Sequence, residues 1–192
     1  SIFACGLVGV LGFASSASAQ LQPTHPDLAY ATLGPTPLRL DLYIPTGGAP
    51  QPYRVVVCIH GGGWSGGSKF PAGFAGILTQ HGFAVASVDY RLTSQAGQYG
   101  SNPVIFPAQI HDVKGAIRWL RANAGTYQLD VNTFGALGNS AGGHLAALAG
   151  TSGGVAAIEG SVGGNLAFSS AVQSVGDYFG PTDLLNMNPD VT

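Results

Sequence analysis

An α/β fold, with a mostly parallel, doubly wound sheet and helices on both faces, is the class this sequence predicts, on three observations. Residues 54–59 and 83–88 are short apolar runs with almost no polar interruption, the pattern of parallel strands covered on both faces. Residues 71–81 and 107–121 each follow one of these runs and space apolar side chains three and four apart, as helices packed on such a sheet do. Finally, Gly138-Asn139-Ser140-Ala141-Gly142 joins an apolar run ending at Leu137 to a helix-like run over 144–148.

Taken in order, residues 1–19 read as a secretory signal peptide cut short at its start: an apolar run over 2–14, then Ala17-Ser18-Ala19 with cleavage before Gln20. A secreted or periplasmic protein is the expectation, with no membrane contact after cleavage. Cys5 precedes the end of the apolar run and so does not fit a lipid-anchored cysteine. Residues 20–192 form part of one domain, because the length suits a single core and not two. Residues 20–37 hold four prolines and little periodicity, and read as a surface lead-in.

Residues 38–44 alternate apolar with polar and read as a strand with one wetter face. The helix over 71–81 has Pro71 in its first turn and Gly82 just past its end. Residues 95–103 read as a loop. The helix opened by Pro107 puts Ile110, Val113, Ala116, Ile117 and Leu120 on one face, with His111, Asp112, Lys114, Arg118 and Arg121 largely on a polar one. A strand over 133–137 leads into the turn at Ser140. Residues 150–164 carry six glycines and no period, which leaves a loop and a weak helix near 155–158 both open. A last strand over 171–175, ending at Gly176, would present an unpaired apolar edge.

A formal net charge of −2 gives no electrostatic case for nucleic acid. All seven Lys and Arg lie at or before Arg121, and the residues after it carry five acids and no base. Without an acidic block, that asymmetry reads as chance and not as a cation site. After signal cleavage Cys58 is the sole cysteine, so no internal disulfide forms, and its apolar run makes it a core residue.

Glycines on either side of Ser140 permit a tight, strained bend that lifts the hydroxyl off the sheet, the geometry of a nucleophile elbow. Upstream, His60-Gly61-Gly62-Gly63-Trp64 leaves the strand over 54–59 as a glycine run able to offer backbone N–H groups to an oxyanion. A serine nucleophile also needs a base and a group to orient that base.

The two motifs together resemble those of the α/β-hydrolase superfamily, specifically carboxylesterases that pair HGGGW with G-N-S-A-G-G-H. The resemblance runs from about residue 38 to about 185, through Asp89-Tyr90-Arg91-Leu92, Phe106-Pro107-Ala108-Gln109-Ile110-His111-Asp112 and Phe179-Gly180-Pro181-Thr182-Asp183-Leu184. Secreted bacterial esterases of the feruloyl- and acetyl-esterase type are the most similar group. It implies Ser140 as nucleophile and an oxyanion hole from the N–H groups of Gly62, Gly63 and Ala141. It also implies a small-molecule or polysaccharide-linked ester as substrate, with no cofactor and no metal. Two other readings stay open: an amidase or peptidase of the same fold, and a hydrolase-like module that binds without turnover.

Triad order in this fold is Ser, then an acid, then His. His144 is the sole histidine after Ser140, one helical turn on, and reads as a packing residue beneath the elbow. His60 reads as a brace for the glycine loop, His81 and His111 as solvated, and His25 as part of the lead-in. Asp183 reads as a turn or N-cap residue ahead of a helix starting at Leu184-Leu185, and Asp177 similarly. By resemblance Arg91 pairs with Asp112. No triad acid or base is expected among these residues. The expectation is a longer parent carrying both, and activity lower by roughly 10,000-fold or more in the stretch alone.

Overall fold

The structure, a computed structural model, describes residues 21–69, 73–100 and 103–187; the signal-peptide reading and Pro71 lie outside them. Its strands are β1 (His25–Leu33), β2 (Thr36–Tyr43), β3 (Tyr53–Ile59), β4 (Phe83–Val88), β5 (Leu129–Asn139) and β6 (Ser174–Tyr178). They form one sheet in the order β1-β2-β4-β3-β5-β6. β4, β3, β5 and β6 run parallel, and β1 and β2 are antiparallel additions at one edge.

The helices are α1 (Gly73–Gln80), α2 (Ala108–Ala122), α3 (Ala124–Tyr127), α4 (Ala141–Thr151) and α5 (Ala156–Glu159). Side chains alternate across β3 and so feed two cores. Val55, Val57 and Ile59 pack with Ile110, Ile117, Leu120 and Leu145 of α2 and α4. Cys58 points the other way, toward Val85, Tyr43 and Ala75 under α1. Burial there pushes the Cys58 thiol up to about 12, so it stays protonated and inert. Among the described residues no helix is long and apolar enough to cross a membrane.

The structure corrects the sequence reading in four places. The lead-in is not irregular: residues 25–33 form β1, whose Tyr30 is buried and donates its hydroxyl hydrogen to the Asp89 carbonyl at 2.7 Å. Pro26 is tolerated because β1 is an edge strand, and two register shifts hide its alternation. The last strand is displaced by three residues, to Ser174–Tyr178. Pairing begins where the Gln173 amide meets the Phe134 carbonyl, and Gly176 continues the strand because a Cβ there would lie 2.5 Å from Leu137 Cδ1. β6 is the sheet edge among the described residues, with Val175 and Tyr178 exposed. Leu184 and Leu185 start no helix; Asp183 instead accepts a hydrogen bond from Asn186 in a turn.

The largest correction concerns α2. Its polar face is not solvated: Asp112 and Lys114 are 0% exposed, Arg118 2% and Arg121 6%. Residues 152–171 lie across it. Lys114 Nζ donates to Ser152 O and to Glu159 Oε1, the latter at 2.8 Å. Arg118 donates to the carbonyls of Glu159, Val162 and Gly164, and Arg121 to those of Val131, Ser169 and Ala171. Glu159 also accepts from Ser170 Oγ and the Gly154 amide. The segment left open by its composition therefore forms the end of α4, then α5, then a strap held by three cations. His111 is drawn in as well, with Nε2 3.0 Å from the Ala157 carbonyl. The charge asymmetry thus has a structural counterpart, since cations before residue 122 reach forward to acceptors after it.

Candidate active site

Ser140 sits between the end of β5 and the first turn of α4 with φ 52° and ψ −124°. A non-glycine residue at that backbone setting is strained by roughly 1–3 kcal/mol and persists only where its surroundings fix it. Three contacts do so. The Ser140 amide donates to the Tyr178 carbonyl at 2.9 Å, tying the turn to the end of β6. Its carbonyl accepts from the His144 amide at 3.1 Å, starting the helix. Gly138 and Gly142 then close the bend backbone on backbone, for a Cβ on Gly138 would lie 2.2 Å from Gly142 O. Gly142 in turn lies under β3, where a Cβ would be 2.1 Å from Ile59 O. Among the described residues the Ser140 side chain makes no hydrogen bond, and it is half-buried.

The glycine loop abuts this bend. A Cβ on Gly61 would lie 3.3 Å from Ser140 Cβ and 2.9 Å from Asn139 O. Gly62 and Gly63 have φ of 110° and 58°, and the Gly62 carbonyl turns back to accept from the Ser65 and Gly66 amides. That orientation frees the loop's own N–H groups. Those of Gly62, Gly63 and Ala141 donate to no described residue. Ala141 opens α4, so its N–H is one of the unpaired donors of a helix N-terminus.

His60 holds the loop from beneath. Its ring is 4% exposed and stacks on Tyr90 at 4.2 Å, while the Tyr90 hydroxyl donates to the His60 carbonyl. Nδ1 lies 2.7 Å from the Gly61 carbonyl, which can only accept, so Nδ1 carries the proton and Nε2 is left as an acceptor. Burial pushes this imidazole below its ordinary value. Asp112 accepts two parallel hydrogen bonds from Arg91, with NH2 2.7 Å from Oδ1, and a third from the Arg91 amide. The pair fixes the chain after β4 against the first turns of α2; its carboxylate is fully buried and not surface-exposed.

His144 packs edge-on against Trp64 at 5.5 Å, and burial lowers its affinity for a proton. Asp177 accepts the Gly180 amide at 2.8 Å in the turn after β6, and His81 is exposed. No described acid accepts a hydrogen bond from His144, so Ser140, His144 and an acid do not form a chain. Among the described residues three buried side-chain polar atoms lack partners, His60 Nε2, Asn139 Oδ1 and His144 Nδ1, and all belong to the elbow, the first turn of α4 or the loop beside them.

Beside His144 opens a cleft of about 370 Å³, walled by Trp64, Ile105, Phe106, Leu184 and Met187, with Thr93, Gln109 and His144 as its polar members. The sequence reading gave His144 a packing place and Leu184 a helix start, and assigned none of these residues to a ligand-binding cleft. Phe106-Pro107-Ala108-Gln109 stood out in the sequence, but nothing local shows that a helix start faces Trp64 across the chain.

Known proteins carry the same architecture. A truncated carbohydrate esterase from gut microbiota superposes with a TM-score of 0.75 at 35% identity, over 85% of this chain and 58% of that one. A thermophilic esterase of the Planctomycetes species Thermogutta terrifontis gives 0.66 at 28%, over 80% and 52%. Another structure of a Thermogutta terrifontis esterase is phosphonylated by cyclosarin, and the match to it is 26% identical with a TM-score of 0.66 over 81% of this chain and 56% of that one. Esterase LipC of Mycobacterium tuberculosis is 38% identical over 102 residues, 52% of this chain and 23% of that protein. The matched stretch thus spans about a quarter of that curated relative and little more than half of the solved chains. The architecture is the α/β-hydrolase fold. Since the BD-FAE family model matches residues 40–192, well over half its length, the chain belongs to the BD-FAE family.

Proposed function

We propose that this chain carries the nucleophile and oxyanion hole of a serine carboxylic-ester hydrolase. The carrying observation is the strained Ser140, its hydroxyl unpaired, set against a glycine loop whose N–H groups donate to nothing described. Ser140 Oγ attacks the ester carbonyl carbon as its proton passes to a general base. The carbonyl oxygen becomes an oxyanion that accepts hydrogen bonds from Gly62, Gly63 and Ala141. Collapse expels the alcohol, which takes the proton from the base, and water then hydrolyses the acyl-enzyme by the same steps. Each oxyanion donor is worth about 100- to 1000-fold in turnover.

The reading places the base and its orienting acid in sequence of a longer parent, beyond the stretch shared with the relatives. Esterases among the relatives and a phosphonylated structural neighbour support the serine mechanism. The gut carbohydrate esterase supports a sugar-linked ester as substrate. Secretion after cleavage before Gln20 belongs to the same proposal, as does the absence of a cofactor.

The test is fluorophosphonate labelling of the full-length protein with the adduct mapped by mass spectrometry, alongside turnover of p-nitrophenyl acetate. We expect the label on Ser140, and loss of turnover by about a million-fold in Ser140→Ala. Labelling at another residue, or none, rejects the proposal; turnover of an arylamide with no ester hydrolysis would move the assignment to an amidase.

A further inference from the structure

We infer that Gln109 is a specificity-determining residue: its side-chain amide reads a hydroxyl on an otherwise apolar part of the ester. The inference rests on the esterase reading for its chemistry, but its evidence lies in the cleft and not at Ser140.

Gln109 is in the first turn of α2 and is 4% exposed. A buried primary amide offers two N–H donors and a carbonyl acceptor, and leaving all of them unmet is costly, so such groups are nearly always paired. Here the side chain makes no hydrogen bond with any described residue. Yet its amide atoms are not among the sealed-off unpaired polar atoms, and the residue lines the cleft. The neighbouring polar groups are otherwise committed. Asp112 is filled by Arg91, the Ala108 carbonyl also accepts from Arg91, and His111 faces the Ala157 carbonyl. With Thr93 and His144, the amide is one of three polar points in an otherwise apolar lining.

That wall is continuous with the reaction centre. Trp64 follows Gly63 directly, and its carbonyl accepts from the Thr93 amide at 2.9 Å, which fixes one side of the cleft to the glycine loop. His144, one helical turn from Ser140, forms the floor against Trp64. Ile105 and Phe106 stand at the rim, 61% and 58% exposed, and offer apolar surface that no described residue covers. A space of about 370 Å³ lies within the usual range for small-molecule sites and suits a group of ring size. A ligand with an apolar body and one hydroxyl satisfies both the walls and the amide; a wholly apolar body leaves the amide unmet, and a highly hydroxylated one leaves its other hydroxyls against Trp64, Phe106 and Ile105. The cleft's place beside the serine fits either the acid or the alcohol part of the ester, and the two are separated by experiment.

Two ester pairs, each differing by one hydroxyl, test the assignment in the full-length protein. Benzyl acetate against 4-hydroxybenzyl acetate probes the alcohol side, and ethyl 3-phenylpropanoate against its 4-hydroxyphenyl counterpart probes the acid side. We expect kcat/KM to favour the hydroxylated member of one pair by about tenfold or more, since a site built to bond a hydroxyl discriminates against its absence. Gln109→Leu should abolish that preference, with the loss carried by the KM of the hydroxylated member. Gln109→Asn, which keeps the amide one methylene shorter, should restore part of it. A merely structural glutamine would lower both members together, and that result, or equal rates for both members in the wild type, overturns the inference with the esterase reading intact. A binding arm needs no turnover: the side-chain amide resonances of Gln109, assigned by their loss in Gln109→Leu, should shift on adding 4-hydroxybenzyl alcohol or 3-(4-hydroxyphenyl)propanoate, and not on adding the unsubstituted compounds. A shift in a protein that hydrolyses no ester would keep this site and discard the proposed reaction; no selective shift would discard the site.

Discussion

The elbow and the strap solve one problem by opposite means. Both pin irregular backbone against a regular element. At the elbow, side chains are removed until backbone meets backbone: Gly138 against Gly142, Gly142 against Ile59 and His60, Gly61 against Asn139. At the strap, side chains are extended until they meet backbone: Lys114, Arg118 and Arg121 span from α2 to the carbonyls of residues 152–171. The first device tolerates no added atom, because the space does not exist. The second tolerates no deleted charge, because the carbonyls it satisfies are covered by the same helix. The bend that fixes Ser140 uses the first, and a cover for the core uses the second.

The comparison breaks most sharply at Gly142. Gly142→Ala would set a methyl 2.1 Å from the Ile59 carbonyl and 2.5 Å from that of His60, both within the sheet and its exit. The expected cost is about 3 kcal/mol or more in urea unfolding, at the upper end of overpacking. Ester turnover in the full-length protein should fall even where the variant folds. Gly153→Ala is the control, because nothing lies within 4 Å of that added methyl; it should stay within about 0.5 kcal/mol of wild type.

At the strap the corresponding test is Lys114→Met, which keeps the length of the side chain and removes the charge. Lys114 is wholly buried, and the change takes from Glu159 its nearest cation and from the Ser152 carbonyl one of its two donors, so about 3 kcal/mol is expected. The loss should be local: hydrogen exchange should speed up over residues 152–171 while amides of β3 and β5 stay protected. Uniform acceleration across the sheet would show that strap and sheet unfold as one unit.

The smallest effect is pH dependence. Burial raises the Glu159 carboxyl, but hydrogen bonds from Lys114, Ser170 and the Gly154 amide outweigh it and hold the group below its ordinary value. A carboxyl lowered on folding stabilises the protein above its unfolded value, and that contribution is lost as pH falls through the folded one. Stability should therefore decline on acidification below the ordinary carboxylate range, and Glu159→Gln should flatten that decline at some cost near neutral pH. Asp112 works in the opposite direction, since burial raises its carboxyl despite Arg91, which is why the substitution at Glu159 and not the bare pH profile is the test.

The two devices also differ in how far the sequence discloses them. Glycine at 61–63, 138 and 142 is a local statement about φ and about missing volume, so the loop and the bend could be read before any coordinates. The strap could not. Helical periodicity sorts α2 into an apolar and a polar stripe, and a stripe of His, Asp, Lys and Arg reads as solvated because charges are seldom buried. Here they are buried because their partners are backbone carbonyls some 40 or more residues on, in a segment whose composition has no period at all. β1 was hidden by Pro23, Pro26 and its register shifts, and β6 by the habit of ending a strand at glycine.

By itself, then, the sequence determined the parallel strands, the bracketed helices, the strained serine and the glycine loop beside it, because each follows from the steric needs of a few adjacent residues. Only tertiary structure decided which faces of α2 are wet, where the outer strands pair, and that Gln109 opens onto a cleft beside Trp64 and His144. The reason is range. A backbone angle or an apolar alternation is written within one turn or one strand, whereas burial and hydrogen-bond satisfaction depend on which distant segment comes to lie on top.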